Sequence, residues 1–278
     1  MQVFEIKNIY YVYKNSNSQT NFELKNISFN VDKEEFVAIV GSSGSGKSTL
    51  VTHLNGLLTP TSGEILFNGK NIHDKEFDKR KLRFKVGLLF QYPEYQLFSE
   101  TVLDDVIFGA IKKGLTLEEA KKKGLEILDI LGILELKNES PFSLSGGEKR
   151  KVALAGVLVM DPEVLVLDEP IAGLDSNSKK NLFEIISYLR KEKHQTIIMV
   201  THDLDDVMEY TDKVLVLKDG ECVKYGKPNE VLTDDLVLEK SNLYPPTAVL
   251  FSKEFNKRNI KFYGYKKDDI FKSFYENL

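Results

Sequence analysis

Residues 3–13 and 22–31 alternate apolar and polar positions, notably at Ile27, Phe29 and Val31. This period of two predicts antiparallel strands near an exposed face, with the polar stretch Asn15–Asn21 as the turn or loop between them. Phe36–Val40 is short, apolar and β-branched and ends at Gly41, the pattern of a buried strand. A helix is predicted from about Gly46, carrying Leu50, Val51, Leu54 and Leu57–Leu58. Further buried strands fit Val86–Phe90, Val164–Leu167 and Thr196–Val200, with helices between them. Thr116 and Glu119 form a capping-box pattern that opens a helix through about Leu131. Asp175 or Ser176 can cap another that reaches about Lys193. Val214–Leu217, Asp219-Gly220 and Cys222–Tyr225 read as a hairpin, because Asp-Gly suits a type I′ turn. Strands alternating with helices predict an α/β fold with a mostly parallel sheet covered on both faces. The opening strands and the hairpin near 220 predict an extra β layer.

The composition shifts after about residue 235. Tyr244-Pro245-Pro246 is a break, followed by a tail rich in lysine and aromatic residues. Within it Ile270, Phe271, Phe274, Tyr275 and Leu278 share one helical face, with Asp268 as a cap. Such a helix can pack back on the domain or offer a surface to a protein partner.

The chain has 278 residues, 42% apolar and 29% charged, with a net charge of −4. That is an ordinary globular balance, and it lacks the basic excess usual in nucleic-acid-binding proteins, so no nucleic acid is expected as a partner. Apolar runs such as Val152–Met160 are about half the length needed to cross a bilayer. The start M-Q-V-F-E-I-K-N has no apolar core, so no signal peptide is expected. One cysteine, Cys222, excludes an internal disulfide and a cysteine-rich zinc site. These bounds predict a soluble intracellular protein with no membrane span of its own.

Gly41-Ser42-Ser43-Gly44-Ser45-Gly46-Lys47-Ser48 matches G-x-x-x-x-G-K-[ST] between a predicted strand and a predicted helix. Glycines let backbone N–H groups close around phosphate oxygens, and the helix N-terminus adds positive potential. Lys47 would reach the β- and γ-phosphates of a nucleotide, and the Ser48 hydroxyl would join a Mg²⁺ shell. Val164–Leu167 delivers Asp168 and Glu169 at the carboxyl end of a strand, where Asp168 can hold Mg²⁺ through water. Glu169, one residue on, points differently and can orient and deprotonate an attacking water. These elements predict a nucleotide hydrolase.

Leu144-Ser145-Gly146-Gly147-Glu148 narrows the class. The segment resembles the signature L-S-G-G-Q of the ATP-binding cassette (ABC) superfamily, with Glu148 in place of glutamine. The resemblance spans residues 3 to about 235. It implies a P-loop ABC domain over 1–235: a RecA-like core, an antiparallel β layer and a helical signature subdomain at about 92–160. Residues 236–278 would be a helical extension that packs on the domain or contacts a second ATPase. In that family Ser145, Gly146 and Gly147 would serve a nucleotide held by the opposite subunit, so hydrolysis needs a dimer. The resemblance implies ATP binding by Gly41 to Ser48 with Thr49, and a Mg²⁺ shell of Ser48, Gln91 and Asp168. Gln91 looks like the Q-loop glutamine, Asp175 in Ala172-Gly173-Leu174-Asp175 like the D-loop aspartate, and His202 like the switch histidine that senses the γ-phosphate. Glu169 would be the general base. Tyr13 looks like the aromatic that stacks on adenine, with Tyr11 and Tyr10 nearby as alternatives. Ile171 departs from the usual threonine or serine after Asp-Glu-Pro. His53, His73 and His194 fit no partner pattern and read as structural or exposed.

Gln91-Tyr92-Pro93-Glu94-Tyr95-Gln96-Leu97-Phe98 closely resembles the Q-loop region of energy-coupling factor (ECF) transporter ATPases, the cobalt- and vitamin-uptake branch. Leu54-Asn55-Gly56-Leu57-Leu58, Ala155-Gly156-Val157-Leu158 and Thr201-His202-Asp203 are similar to the same branch. The insert Asn15–Asn21 and Ser140-Pro141-Phe142 look like the second of its two ATPase types. The resemblance implies an importer subunit on the cytoplasmic face of a bacterial membrane. Its partners would be a second ATPase, most simply a sister chain in a heterodimer, a transmembrane coupling subunit at Gln91–Phe98, and a small substrate-binding membrane protein. Soluble ABC proteins of DNA repair and translation are the alternative. The first carry a long coiled-coil insert and the second carry two cassettes, whereas one cassette here puts about 120 residues between phosphate loop and Asp168. Another type of ABC importer also stays open, as does the transported compound.

Overall fold

The computed structural model describes residues 1–13, 22–258 and 264–276. The expected loop at Asn15–Asn21 and the position of Leu278 lie outside them. The chain opens with strands β1 (Gln2–Val12), β2 (Phe22–Asp32) and β3 (Phe36–Gly41), then α1 (Lys47–Leu54), β4 (Ser62–Phe67), the short β5 (Lys70–Asn71), α2 (Lys79–Lys85) and β6 (Val86–Leu89). A run of helices follows: α3 (Val102–Lys113), α4 (Leu117–Ile130) and α5 (Gly146–Leu158). Next come β7 (Val164–Asp168), α6 (Ser176–Lys193), β8 (Thr196–Val200), α7 (Leu204–Tyr210), β9 (Lys213–Lys218) and β10 (Glu221–Gly226). Helices α8 (Pro228–Val231), α9 (Asp235–Ser241), α10 (Thr247–Lys257) and α11 (Lys267–Glu276) complete the described chain.

The main sheet has the order β10-β9-β3-β8-β7-β6, parallel throughout except for the antiparallel β10. Both of its faces are covered, so its strands read as apolar runs rather than alternations. In β7 and β8, Leu165, Leu167, Ile197 and Met199 face a core shared with α3 to α6. Val164, Val166, Ile198 and Val200 face the opposite way, toward α1 and an antiparallel sheet of order β2-β1-β4-β5. A third cluster joins Ala38, Val40, Val214 and Val216 to α7, α8 and α9.

Local signals set several element ends. Thr116 and Glu119 close a reciprocal capping box at α4. The Asp175 carboxylate, not Ser176, caps α6 by accepting from the N–H groups of Asn177 and Ser178 at 2.9 and 3.0 Å. Asp219 and Gly220 both hold positive φ, 48° and 79°, as a type I′ turn requires.

Three expectations need correction. The hairpin near 220 does not belong to the extra β layer. β9 is apolar toward both faces, so it pairs in parallel with β3 and places β10 at the edge of the main sheet. The antiparallel layer gains β4 and β5 instead, although β10 touches it where Lys25 N donates to Gly220 O at 2.7 Å. Second, α1 stops at Leu54: Asn55 caps it, Gly56 takes φ 71°, and Leu57 is exposed beyond the end. Third, Asp268 lies in the first turn of α11 rather than ahead of it, and the neighbouring Asp269 carboxylate accepts from Tyr265 N and Lys266 N. That helix buries Ser273 and leaves Phe271 and Tyr275 in solvent.

Candidate functional site

Two of the phosphate-loop glycines, Gly41 and Gly46, leave no room for a side chain. A Cβ on Gly41 would lie 2.2 Å from Leu217 O of β9, and one on Gly46, at φ 96°, would lie 2.7 Å from Glu23 O of β2. The loop therefore wraps tightly between β3 and α1. Lys47 folds back into it and donates from Nζ to Gly41 O and Ser42 O, both at 2.9 Å. Its burial pulls the ammonium pKa down, while the nearby Glu169 and Asp168 charges oppose that shift.

β7 brings Asp168 beside this loop. The carboxylate is buried, and burial raises its pKa, opposed by a hydrogen bond from Ser48 and by Lys47. Its Oδ1 has no hydrogen-bond partner. A hydroxyl and a buried carboxylate with a spare oxygen are hard donors of the kind Mg²⁺ takes, one or two protein oxygens being completed by water and phosphate. Among the described residues no cluster of three or more histidine, cysteine or carboxylate side chains could hold a metal by itself.

Glu169 takes the left-handed conformation, φ 49°, with its N–H held by Val200 O at 3.1 Å. Its Oε2 accepts from Gln91 Nε2 at 3.0 Å, so the residue just past β6 reaches the residue just past β7.

Lys47, Ser48, Thr49, Gln91, Glu169 and His202 line one cleft of about 380 Å³ with the loop residues Gly41 and Ser43 to Gly46. Ser42 joins through its carbonyl bond to Lys47. Tyr13 is half-exposed near the cleft, its hydroxyl 3.4 Å from Thr49 Oγ1. Tyr11 instead packs edge-on against His53, with ring centroids 4.6 Å apart. Glu23 also lines the cleft, which no sequence signal indicated, since its alternating strand is compatible with either face.

Ser145, Gly146, Gly147 and Asp175 are not part of this cleft. Ser145 and Gly147 line a separate cavity of about 210 Å³ with Leu89, Pro170 and Leu174. Ser145 caps α5 in a reciprocal box with Glu148: its N–H and hydroxyl both donate to Glu148 Oε2, at 2.8 and 2.6 Å. A glutamine could close the same box. Those bonds hold the Glu148 carboxyl below the usual carboxylate range.

The ABC transporter family matches residues 24–172, which include the phosphate loop, Gln91, the signature and Glu169. An energy-coupling factor transporter ATP-binding protein, EcfA2, from Caldanaerobacter subterraneus subsp. tengcongensis is 43% identical over 257 residues, 92% of this chain and 90% of that protein. The chain belongs to the energy-coupling factor branch of the ABC transporter ATPases. The EcfA2 protein of Clostridium perfringens is 44% identical over 90% of this chain and 88% of its own length. Among solved structures, cbiO1 from Clostridium perfringens, part of the ABC transporter complex cbiONQ, aligns with a TM-score of 0.76 at 40% identity, covering 91% of this chain and 99% of that one. The ATP-binding cassette MJ0796, as a dimer in a post-hydrolysis state with ADP and Pi, aligns with a TM-score of 0.73 at 31% identity, covering 81% and 98%. The ABC ATPase therefore combines the family's α/β architecture with a cleft that gathers the phosphate loop, Gln91, Glu169 and His202.

Proposed function

We propose that the chain is the ATP-hydrolysing engine of an energy-coupling factor importer for vitamins or transition-metal ions. Residues 1–235 would form the cassette, its helical part at about 92–160, and residues 236–278 an extension that contacts a second ATPase. The observation that carries the reading is the continuity between the catalytic pair and an aromatic strip. Gln91 holds Glu169, and directly after it Tyr92, Tyr95 and Phe98 stand exposed, Tyr95 at 85%. A buried carboxylate, Asp105, accepts from the N–H groups of Phe98 and Ser99 at 2.8 Å each, so the strip is held in place while its rings face outward. Exposed, ordered aromatics suit docking onto helices of a membrane subunit. In this reading the strip docks from the cytoplasmic face, as a peripheral subunit would; among the described residues no helix is long and apolar enough to cross a membrane.

In this reading Gly41 to Thr49 bind the ATP phosphates and Tyr13 stacks on the base. Phosphate oxygens replace the two carbonyls that Lys47 now contacts, so the lysine needs little rearrangement to meet them. Ser48, Asp168 and Gln91 would hold Mg²⁺, which when bound neutralises charge on the transferring phosphoryl group. Glu169 takes the proton of the attacking water, and His202 meets the γ-phosphate from the end of β8. Ser145, Gly146, Gly147 and Asp175 would act across the dimer, which accounts for their distance from their own chain's cleft. Most of the catalysis is then positioning and charge stabilisation.

The test is a tagged pull-down from detergent-solubilised native membranes, with each co-purifying chain identified by mass. The expected result is a second ATPase, a multi-span coupling protein and small membrane proteins that reveal the substrates. Recovery of soluble proteins alone would overturn the transport reading.

A further inference from the structure

Four residues near the nucleotide cleft form a closed ring of contacts. The Tyr13 hydroxyl lies 3.4 Å from Thr49 Oγ1. The Thr49 carbonyl, one turn before His53 in α1, accepts from His53 Nδ1 at 2.7 Å. The His53 ring packs edge-to-face with Tyr11 at 4.6 Å and 80°. Tyr11 packs the same way with Tyr13 at 4.9 Å and 82°, which closes the circuit. Tyr11 lies at the end of β1 and Tyr13 just past it, and the other two come from the helix that follows the phosphate loop.

His53 is the unusual member. It is fully buried, and its Nε2 has no hydrogen-bond partner. A carbonyl can only accept, so the proton lies on Nδ1 and the bare Nε2 is left unsatisfied. A buried polar atom without a partner is a cost that a leucine or phenylalanine at this position would avoid. What the imidazole adds is orientation: its bond to the Thr49 carbonyl fixes the ring plane that Tyr11 packs against. Burial lowers the imidazole pKa, which keeps the ring neutral and able to play this part.

We infer that His53 is a positioning residue of the nucleotide site, holding Tyr13 through Tyr11 in the plane that receives a purine base. The inference rests on the reading of Tyr13 as the base-stacking residue. It also ties the base seat to the phosphate seat, because Thr49 follows Ser48 in the same helical turn.

The experiment compares binding of ATP and of inorganic tripolyphosphate, which has no base, to the full chain with Mg²⁺. Tyr13→Ala is expected to weaken ATP about tenfold or more, the usual size of a lost stacking contact, and to leave tripolyphosphate unchanged. His53→Leu is expected to weaken ATP by about three- to tenfold, a fraction of the stacking contact, with tripolyphosphate held within about twofold. Its KM for ATP should rise while kcat is kept. If Tyr13→Ala weakens ATP but His53→Leu does not, or weakens both ligands equally, His53 has no positioning role. If Tyr13→Ala leaves ATP unchanged, the stacking reading itself is wrong and the inference falls with it. Should His53→Leu fail to fold, Tyr11→Leu breaks the same circuit and is judged by the same outcomes.

Discussion

Gln91 and Glu169 are 78 positions apart in the chain, yet the Gln91 amide donates to the Glu169 carboxylate at 3.0 Å. The bond links the segment that carries the exposed aromatic strip to the proposed general base. Any partner that moves Tyr92–Phe98 therefore pulls on the proposed general base through one side chain. Coupling between docking and hydrolysis needs no longer path than this.

Replacing Glu169 by glutamine removes the proton acceptor and keeps the shape. Glu169→Gln should bind ATP and dimerise normally, while turnover falls by about 10²–10⁴-fold. Steady-state ATPase assays and elution volume with and without ATP measure both halves. Turnover at the wild-type rate would refute the assignment of the base.

The signature departure is predicted to be mild. Glutamine can accept from Ser145 as Glu148 does, so Glu148→Gln should preserve the cap and keep ATPase activity equal to or somewhat above wild type. Glu148→Ala breaks the box and should lower the melting temperature by about 2 °C. Thermal melts and turnover of the two variants check this together. A Gln variant as destabilised as the Ala variant would contradict the capping account.

The aromatic strip separates assembly from chemistry. Phe98 packs edge-on against Phe108, centroids 4.9 Å apart, and Lys112 Nζ lies 5.2 Å from the centre of the Phe108 ring. Tyr95→Ser combined with Phe98→Ser should lower the isolated chain's melting temperature only slightly, because the Tyr95 ring faces solvent and the half-exposed Phe98 gives up one edge contact with Phe108. Recovery of the chain with native membranes should drop at least tenfold, since aromatic anchors dominate such interfaces. Undiminished membrane recovery would place the docking surface elsewhere.

Acid should destabilise the fold through the partly buried His73. Burial, with the Lys79 charge, pushes His73 down to about 4 from an ordinary 6.5, and both its ring nitrogens lack partners. Between those values the unfolded chain binds a proton that the folded ring does not. Stability from this source is complete above about pH 6.5 and is lost as pH falls toward 4. The slope stays below the one-proton limit of about 1.4 kcal/mol per pH unit, because the ring is only partly buried. Urea midpoints at pH 7 and pH 5 should differ less for His73→Gln than for wild type. An equal difference in the two proteins would exclude His73 as the source.

The elements legible in the sequence are those whose signal spans a few residues. The Thr116–Glu119 box, the Asp175 cap, the Asp219-Gly220 turn and the glycine spacing of the phosphate loop each act within one turn of backbone. Their hydrogen bonds and φ angles are local, so residue type at fixed spacing suffices to predict them. The placement of Lys47, Ser48, Asp168 and Glu169 was legible for the same reason, being attached to a strand end and a loop of recognisable pattern.

Tertiary structure decided what depends on the approach of distant segments. Only the fold assigns β9 to the main sheet, because a strand apolar on both faces does not announce which neighbour will cover it. The end of α1 and the exposure of Phe271 and Tyr275 are decided the same way, by what packs nearby. Glu23 enters the cleft only because β2 passes Gly46, and Tyr13 is distinguished from Tyr11 only because Tyr11 packs against His53. Local patterns thus determined the parts and their reactive groups, while packing between segments far apart in the chain determined which groups meet.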